Sequence, residues 1–243
     1  MMTSPSVRWV RAAGALALVL GLVAWTEPGV VRSGPATCKG IALTFDLCPV
    51  KEGSGFDAVL VRELVAHHIH ATFFPSGRWM AQHDAALREL LAVPYFELGT
   101  HGEVHASLPK LSGQDLRREI MTPVTRLARD YGRVTTLFRP PYGDYNAESL
   151  AAVHDAGLTF VLWSVVSGDP DPKLSAVRIA EEVNARARNG SIIIFHANGR
   201  GWHTPEVVED VYQHLIVEKG FAPLTISELL AGCADHAASG TRH

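Results

Sequence analysis

The sequence predicts an α/β fold, a distorted (β/α) barrel of about seven parallel strands with surrounding helices. Two observations predict it. Short runs of nearly all apolar residues alternate with longer segments of helical periodicity, and strands that helices cover on both faces have such apolar composition. The similar numbers of strands and helices favour a barrel over an open sheet, although periodicity alone does not decide between them.

The individual elements follow from these two patterns. The apolar runs predict strands at residues 40–45, 72–74, 97–99, 137–139, 160–163, 191–195 and 222–225. The periodic segments between them predict helices at residues 55–67, 78–92, 112–131, 146–156, 174–189 and 205–219. A chain of 243 residues is long enough for one α/β domain with a sizeable core, so we expect a single catalytic domain over residues 37–243.

Composition excludes several classes of protein. The hydrophobic fraction of 47% and the charged fraction of 19% are those of an ordinary globular protein, not of a disordered chain or a coiled coil. The net charge of -3 argues against a nucleic-acid partner, because phosphate binding generally requires a basic patch.

The first 36 residues have the organisation of an export signal. Arg8 and Arg11 precede an apolar run at 12–25, and a polar stretch containing proline and glycine follows at 26–35. The run is shorter than the ~18 to 20 residues that a spanning helix usually needs. We expect residues 1–36 to be a signal peptide or N-terminal membrane anchor with a short linker, and the protein to be periplasmic or extracellular. No A-x-A cleavage site follows Trp25, so retention as an anchor stays open.

Three cysteines fit an oxidising compartment if the chain is exported. Cys38 precedes the first predicted strand and Cys233 lies near the chain end, so a disulfide between them can join the two ends of the domain. Cys48 is then the unpaired thiol.

Polar side chains collect at the carboxyl ends of the predicted strands, where the reactive residues of parallel barrels lie. They are Asp46, His101, His105, Arg139, Tyr142, Asp169 and His196. His101 and His105 can direct both imidazoles to one cation if their segment makes a helical turn. The ordinary alternatives are a solvated histidine pair, a structural ion pair for Arg139, a core histidine at 196 and a turn-forming aspartate at 169.

Five segments carry a resemblance to a known family. They are TFDLCP at 44–49, THGEVHASL at 100–108, RPPYG at 139–143, LWSVVSGD at 162–169 and IIIFH at 192–196. In this order and spacing they resemble the motifs of the polysaccharide deacetylase family, also called the NodB-homology domain or carbohydrate esterase family 4. The resemblance covers roughly residues 39–230.

The resemblance implies a role for each of these side chains. His101 and His105 are expected to hold a divalent metal, and the expected metal is zinc. Such a metal polarises the acyl carbonyl and lowers the pKa of a bound water. Asp46 is the expected general base, oriented and kept ionised by Arg139. His196 is the expected general acid, and Asp169 is expected to hold its other ring nitrogen.

The first motif departs from the family pattern. Leu47 stands where a second aspartate usually ligates the metal, Cys48 replaces the glycine that usually follows, and Val166 stands where an acidic residue is often found in the fourth motif. Three interpretations are open. Asp46 moves onto the metal, giving a site of Asp46, His101 and His105; water or another residue fills the vacancy; or the site works without metal. We favour retained but altered metal binding, because both histidines are present in register.

Further residues are candidates for substrate contact. Tyr142 and Trp163 offer flat faces that suit sugar rings, although both also suit an apolar core. Asn198 and His203 lie on a glycine-containing loop after His196. This loop resembles that of exported deacetylases with the altered first motif, whereas His203 can equally be an ordinary exposed loop residue.

Together these expectations describe a hydrolase that removes N-linked acetyl groups from a glycan containing amino sugars, such as peptidoglycan, a chitin-like oligomer or an exopolysaccharide. Two other functions stay open: a metal-independent hydrolase of small amides, and a degenerate deacetylase that binds glycans without turnover. The sequence does not select the glycan, and it makes no prediction of the oligomeric state.

Overall fold

The computed structural model describes residues 28–51 and 53–232. Most of the predicted leader, residues 1–27, and Cys233 lie outside the described residues. The strands are β1 (Val30–Val31), β2 (Gly40–Leu47), β3 (Ala71–Pro75), β4 (Phe96–Leu98), β5 (Leu137–Phe138), β6 (Thr159–Val161), β7 (Val165–Val166), β8 (Ser191–His196) and β9 (Ala222–Pro223). The α-helices are α1 (Ala58–Ala66), α2 (Gly77–Gln82), α3 (Asp84–Leu91), α4 (Gly113–Tyr131), α5 (Ala147–Asp155), α6 (Ala176–Arg186), α7 (Thr204–Val211) and α8 (Ile226–Ala231).

The strands form two parallel sheets that together make a distorted barrel. In the described chain, one sheet runs β4-β3-β2-β8-β7 with β9 pairing alongside β2, and the other runs β1-β6-β5. A parallel bridge from Thr100 to Phe138 joins the end of β4 to β5. The Ser164 N–H, between β6 and β7, donates to the Ile192 carbonyl at 3.0 Å. The predicted α/β class with parallel strands and surrounding helices is confirmed.

Side-chain caps fix where several helices begin. The Asp57 carboxylate accepts from the Leu60 N–H and starts α1, and Ser76 and Ser175 cap α2 and α6 in the same way. Such caps satisfy the otherwise unpaired N–H groups of a first turn. Helix α2 begins almost directly after β3, whereas longer loops lead from β2 to α1 and from β7 to α6. These connections lie at the carboxyl ends of the strands, at one end of the barrel.

Two predicted helices differ from those in the structure. The segment predicted as one helix at 78–92 is two, because His83 adopts a non-helical backbone (φ -130°, ψ 46°) between α2 and α3. The segment predicted at 205–219 begins one residue earlier as α7 and continues from Tyr212–Glu218 as a π-helix. Periodicity averages over a window and therefore does not detect a single interrupting residue.

Three short elements were absent from the prediction. They are β1, β7 and α8. The strands β1 and β7 have two residues each, too few for any alternation to be recognised. Val30 and Val31 pair with Phe160 and Val161, so the sheet begins before residue 37, the predicted start of the catalytic domain.

The central strand β2 is buried along its whole length. Phe45 stacks between Phe73 of β3 and Phe195 of β8, with ring centroids 5.2 and 5.7 Å apart. Dense packing around β2 limits movement of the side chains at its carboxyl end. This strand carries Asp46 into the open end of the barrel.

Two further observations bear on the predictions. Cys38 is buried and disulfide-bonded, whereas Cys48 is a free, buried thiol. Within residues 28–232 no helix has the length and apolar character needed to cross a membrane.

Candidate active site

Asp46 lies at the carboxyl end of β2, where the barrel is open, and Arg139 follows β5. The Arg139 guanidinium is fully buried; its Nη1 donates to Asp46 Oδ1 at 2.8 Å and its Nη2 donates to Thr44 Oγ1 at 2.9 Å. The guanidinium also lies over the Phe74 ring, 4.1 Å from its centroid. Arg139 therefore fixes the orientation of a carboxylate that is only 3% exposed.

His101 and His105 come together on the loop after β4. Their Nε2 atoms lie 3.1 Å apart. The prediction required a helical turn for this convergence, but the loop is not helical. Gly102 (φ 74°) and His105 (φ 66°) have left-handed backbones instead. For a residue other than glycine this conformation is strained, and such strain is concentrated at functional sites.

A buried glutamate supports this histidine loop. Glu119 of α4 accepts from the backbone N–H groups of Val104 and Ala106 at 3.1 and 2.8 Å. A Cβ at position 102 would collide with the same carboxylate, so Gly102 permits both the turn and the close approach of Glu119. The loop is therefore held from outside the site, and its two imidazoles are left to face inward.

The ring nitrogens of His101 have distinct partners. Nδ1 lies 2.9 Å from the Arg139 carbonyl oxygen, which can only accept, so Nδ1 carries a proton. Nε2 faces the cleft, 3.4 Å from Asp46 Oδ2. A histidine whose Nδ1–H is bound to a carbonyl presents the other nitrogen as a ligand, as in many metal sites.

Cys48 lies close to both histidines. Its Sγ and one ring nitrogen from each of His101 and His105 all lie within 4.8 Å of one another. The Cys48 carbonyl accepts from Asn198 Nδ2 at 2.9 Å. Burial would raise the pKa of the thiol, but hydrogen bonding to His101, His105 and His196 outweighs burial and holds this pKa well below its ordinary range.

His196 ends β8 and lies in register beside Asp46 of β2. Its Nδ1 lies 3.0 Å from Asp169 Oδ1, and its backbone N–H donates to Asp169 Oδ2 at 2.7 Å. Asp169 also accepts from the Ser167 and Thr204 hydroxyls at 2.9 and 2.8 Å. The aspartate is thus fully bonded, and it fixes the histidine ring with Nε2 directed away from it.

Electrostatics separate the protonation states of Asp46 and His196. Burial would raise the pKa of Asp46, but the charges of His101, Arg139 and His196 outweigh it and lower this pKa below its ordinary value. Burial would lower the pKa of His196, but the hydrogen bonds and charges of Asp169, Cys48 and Asp46 raise it to about 10. Near neutral pH the site therefore contains an ionised carboxylate and a protonated imidazole, a combination suited to general base and general acid chemistry.

These side chains line one cleft of about 280 Å³ at the open end of the barrel. Tyr142 and Trp163 form part of its wall, and Tyr142 is 70% exposed. Asn198 is 1% exposed, and its side chain donates a hydrogen bond to the backbone carbonyl of Cys48. His203 lies at the N-cap of α7, outside the residues that line the cleft.

Sequence reasoning missed several supporting residues and one central one. The supporting residues are Thr44, Ser167, Thr204 and Glu119. Thr44 and Ser167 lie within the segments 44–49 and 162–169 but received no predicted role, and the other two lie outside all five segments. Cys48 had a recognisable signal. Side chains two apart on a strand share a face, and Asp46 at the end of β2 was already assigned to the cleft.

Comparison with known proteins identifies the family of the chain. The model of the family described as "Polysaccharide deacetylase" matches residues 33–161. The chain belongs to the polysaccharide deacetylase family. The matched region contains Asp46, the histidine loop and Arg139.

Relatives of this polysaccharide deacetylase family member include two named peptidoglycan-N-acetylglucosamine deacetylases. That of Bacillus cereus is 30% identical over 178 residues, covering 73% of this chain and 63% of the relative. PgdA of Listeria monocytogenes is 28% identical over 193 residues, covering 79% of this chain and 39% of the relative. The chain thus spans about two fifths of the length of the Listeria protein.

A solved relative supports the fold. A protein described as a CE4 family pseudoenzyme from Bacillus anthracis has a TM-score of 0.75 at 22% identity, with 84% of this chain and 70% of that chain covered. At that identity the likeness shows the fold alone. Turnover by this chain depends on the side chains of its own cleft.

Proposed function

We propose that this polysaccharide deacetylase family member is an N-deacetylase that hydrolyses acetyl groups from amino sugars in an envelope or extracellular glycan. The observation that carries the proposal is the pairing of Asp46 and His196 across one cleft. Asp46 is held by Arg139 at 2.8 Å and His196 by Asp169 at 3.0 Å. An acid and a base, each oriented by its own partner, are what amide hydrolysis by water requires.

In the proposed mechanism Asp46 removes a proton from the attacking water. Its low pKa keeps it ionised, and Arg139 orients the carboxylate while Oδ2 faces the cleft. His196 delivers a proton from Nε2 to the leaving nitrogen, because Nδ1 is engaged by Asp169. Proton transfer to that nitrogen is needed because otherwise the C–N bond would break to release an amide anion, which is a poor leaving group.

The family implies a divalent metal, and the described side chains fit one. His101 and His105 would hold it, because His101 Nδ1 is bound to a carbonyl and the two Nε2 atoms lie 3.1 Å apart. When bound, the cation supplies Lewis acidity that polarises the acyl carbonyl and lowers the pKa of water. Leu47 occupies the position of the aspartate that the family motif usually provides, so a third ligand must come from elsewhere.

The glycan is expected to lie across the open end of the cleft. Tyr142 packs edge-on against the His105 ring, with centroids 4.5 Å apart, and leaves most of its own ring in solvent. Such a ring offers the apolar face of a sugar a surface to stack on. Peptidoglycan is the favoured substrate class, because the two named relatives are peptidoglycan deacetylases and export is the expectation from residues 1–36.

Acetate release from peptidoglycan fragments and chitooligosaccharides, with and without a chelator, tests the proposal. We expect release that the chelator abolishes and added zinc restores, and rates lower by at least about a hundredfold in Asp46→Asn and His196→Ala, in line with general acid–base contributions. Asp84→Asn, which alters an exposed ion pair with Arg88, is the matched control and should act like the parent.

The other outcomes favour different functions. Release that a chelator leaves unchanged would support a metal-independent amide hydrolase. Glycan binding without release would support a pseudoenzyme. Activity in Asp46→Asn or His196→Ala equal to that of the parent would overturn the assigned roles.

A further inference from the structure

We infer that Cys48 is the third protein ligand of the metal, so that this chain has a cysteine–histidine–histidine centre in place of one built with an aspartate. The inference rests on the proposed metal-assisted function. The geometry points to it because Cys48 Sγ and the ring nitrogens of His101 and His105 lie within 4.8 Å of one another, without any rearrangement of the loops.

The separation of the two histidine nitrogens is close to that of two donors on one zinc ion. Zinc bonds of about 2.3 Å to sulfur and 2.0–2.1 Å to nitrogen place tetrahedral donors roughly 3.3 to 3.6 Å apart. The two histidine Nε2 atoms are 3.1 Å apart.

The direction of the Cys48 side chain follows from the strand that precedes it. Asp46 and Cys48 line the cleft, whereas Leu47 between them is fully buried in the apolar core. This alternation is that of a strand. The side chain at position 47 therefore points into the core and not into the cleft. The next side chain with a donor atom that faces the cleft is the thiol of Cys48.

Neighbouring contacts hold Cys48 where a ligand is needed. The Asn198 side chain is buried and donates to the Cys48 carbonyl at 2.9 Å. The thiol is free, and the residue is only 5% exposed. Asn198, which we predicted to contact substrate, has a contact that fixes the backbone of the proposed ligand.

Asp46 is a weaker candidate for the third ligand. Its Oδ1 accepts a charge-assisted hydrogen bond from Arg139 at 2.8 Å. Its Oδ2, which lies 3.4 Å from His101 Nε2, is the oxygen that removes the proton of water in the proposed mechanism, and a bond to the metal would occupy it. With Cys48 as ligand, Asp46 stays on Arg139 and is free to act as the base.

A thiolate ligand changes the metal preference of the site. Thiolates favour zinc and its substitute cobalt, whereas magnesium, calcium and manganese prefer oxygen ligands. We therefore expect zinc to be retained in competition with an excess of magnesium or manganese.

Cobalt substitution tests the inference independently of turnover. The purified parent, stripped of metal and loaded with cobalt(II), should show the near-ultraviolet charge-transfer band of a thiolate–cobalt bond. Cys48→Ser should lose this band and bind cobalt at least about tenfold more weakly, since even indirect disturbance of metal ligands costs that much affinity. Cys48→Asp should regain part of the affinity without the band.

Controls separate ligand loss from misfolding. Val166→Ala alters an exposed, non-ligating side chain of the same cleft and should leave the cobalt spectrum unchanged. Circular dichroism and thermal melting of each variant identify any that fail to fold, and Cys48→Asp then provides an independent test. A parent that binds cobalt without the band, or a Cys48→Ser variant that keeps the parent's affinity, overturns the inference.

The result is also distinguishable from a failure of the proposed function. The thiolate band in a protein that releases no acetate would overturn the deacetylase proposal and leave the metal centre standing. Chelator-sensitive acetate release without the band would do the reverse.

Discussion

The Asp169→Asn substitution tests how His196 is kept protonated. Asp169 Oδ2 accepts from the His196 backbone N–H at 2.7 Å, while Oδ1 faces His196 Nδ1 at 3.0 Å. Asparagine has only one oxygen. Because a backbone N–H can only donate, that oxygen is expected to take the Oδ2 position, which turns the amide nitrogen toward Nδ1. The imidazolium, which needs a proton on Nδ1, would then face another donor.

The size of the effect follows from the bond that is lost. Hydrogen bonds to charged groups contribute about 1.5–3 kcal/mol, and one pKa unit corresponds to about 1.4 kcal/mol. The pKa of His196, raised to about 10 in the parent, should therefore fall by roughly one to two units. A general acid acts only when protonated, so the alkaline limb of the rate profile should move to lower pH by about that amount.

The contribution of His196 to the unfolding free energy should also depend on pH. A histidine whose folded pKa is raised stabilises the folded state fully below the unfolded value of about 6.5. That contribution is lost as the pH rises through the folded pKa of about 10. Relative to the parent, Asp169→Asn should therefore lose more unfolding free energy at about pH 6 than at about pH 10, the approximate ends of that pH range.

The assay is kcat/KM for acetate release as a function of pH, which reports the titrating groups of the free enzyme. The matched control is Asp171→Asn, which changes an exposed aspartate of the same loop. Among the described contacts, its carboxylate accepts only from the Lys173 N–H. The control should keep the parent profile. A uniformly slower Asp169→Asn enzyme with an unmoved alkaline limb would refute the reasoning, because it would mean that Asp169 positions His196 without setting its pKa.

Three other substitutions have calculable consequences. Arg139→Met should destabilise the fold by about 3–5 kcal/mol in urea denaturation, because it leaves the buried Asp46 carboxylate unpaired; a loss below about 1 kcal/mol would contradict a strong buried pair. Gly201→Ala should reduce acetate release with little change of secondary structure, since its Cβ would lie 2.5 Å from Asp169 Oδ2, and parent-like rates would show that the loop yields freely. Phe45→Ala should cost about 3–5 kcal/mol of unfolding free energy, as for other fully buried aromatics, and a stability equal to the parent's would argue against a packed centre at β2.

The sequence was sufficient for the longer elements of the fold. Strand β2 and helix α4 have enough residues for their apolar patterns to be unambiguous, and both lie within two residues of the predicted bounds. Strands β1 and β7 have two residues each, too few for an apolar pattern to be recognised. Their pairing depends on where the barrel closes, which is a property of the whole chain and not of any local window.

The site was predictable where a residue ends a strand. Asp46 and His196 were both placed at strand ends from the sequence, and they are neighbours in register on β2 and β8. The geometry of the histidine loop was not predictable, because it depends on a left-handed backbone at His105 and on Glu119 from a distant helix. A helical turn was the simplest way to bring the two imidazoles together, but the loop achieves the same convergence by a different backbone.

The departure at Leu47 shows what a count of motif positions leaves out. Comparing letters position by position indicates that a ligand is lost, because leucine has no donor atom. Considering which way each side chain points gives a different result, since Leu47 packs into the core while Asp46 and Cys48 face the cleft. In the proposed metal centre, the thiol of Cys48 supplies the donor that the family resemblance leads us to expect at position 47. The proposed centre uses both histidines, and it leaves Asp46 on Arg139, where the proposed general base is needed.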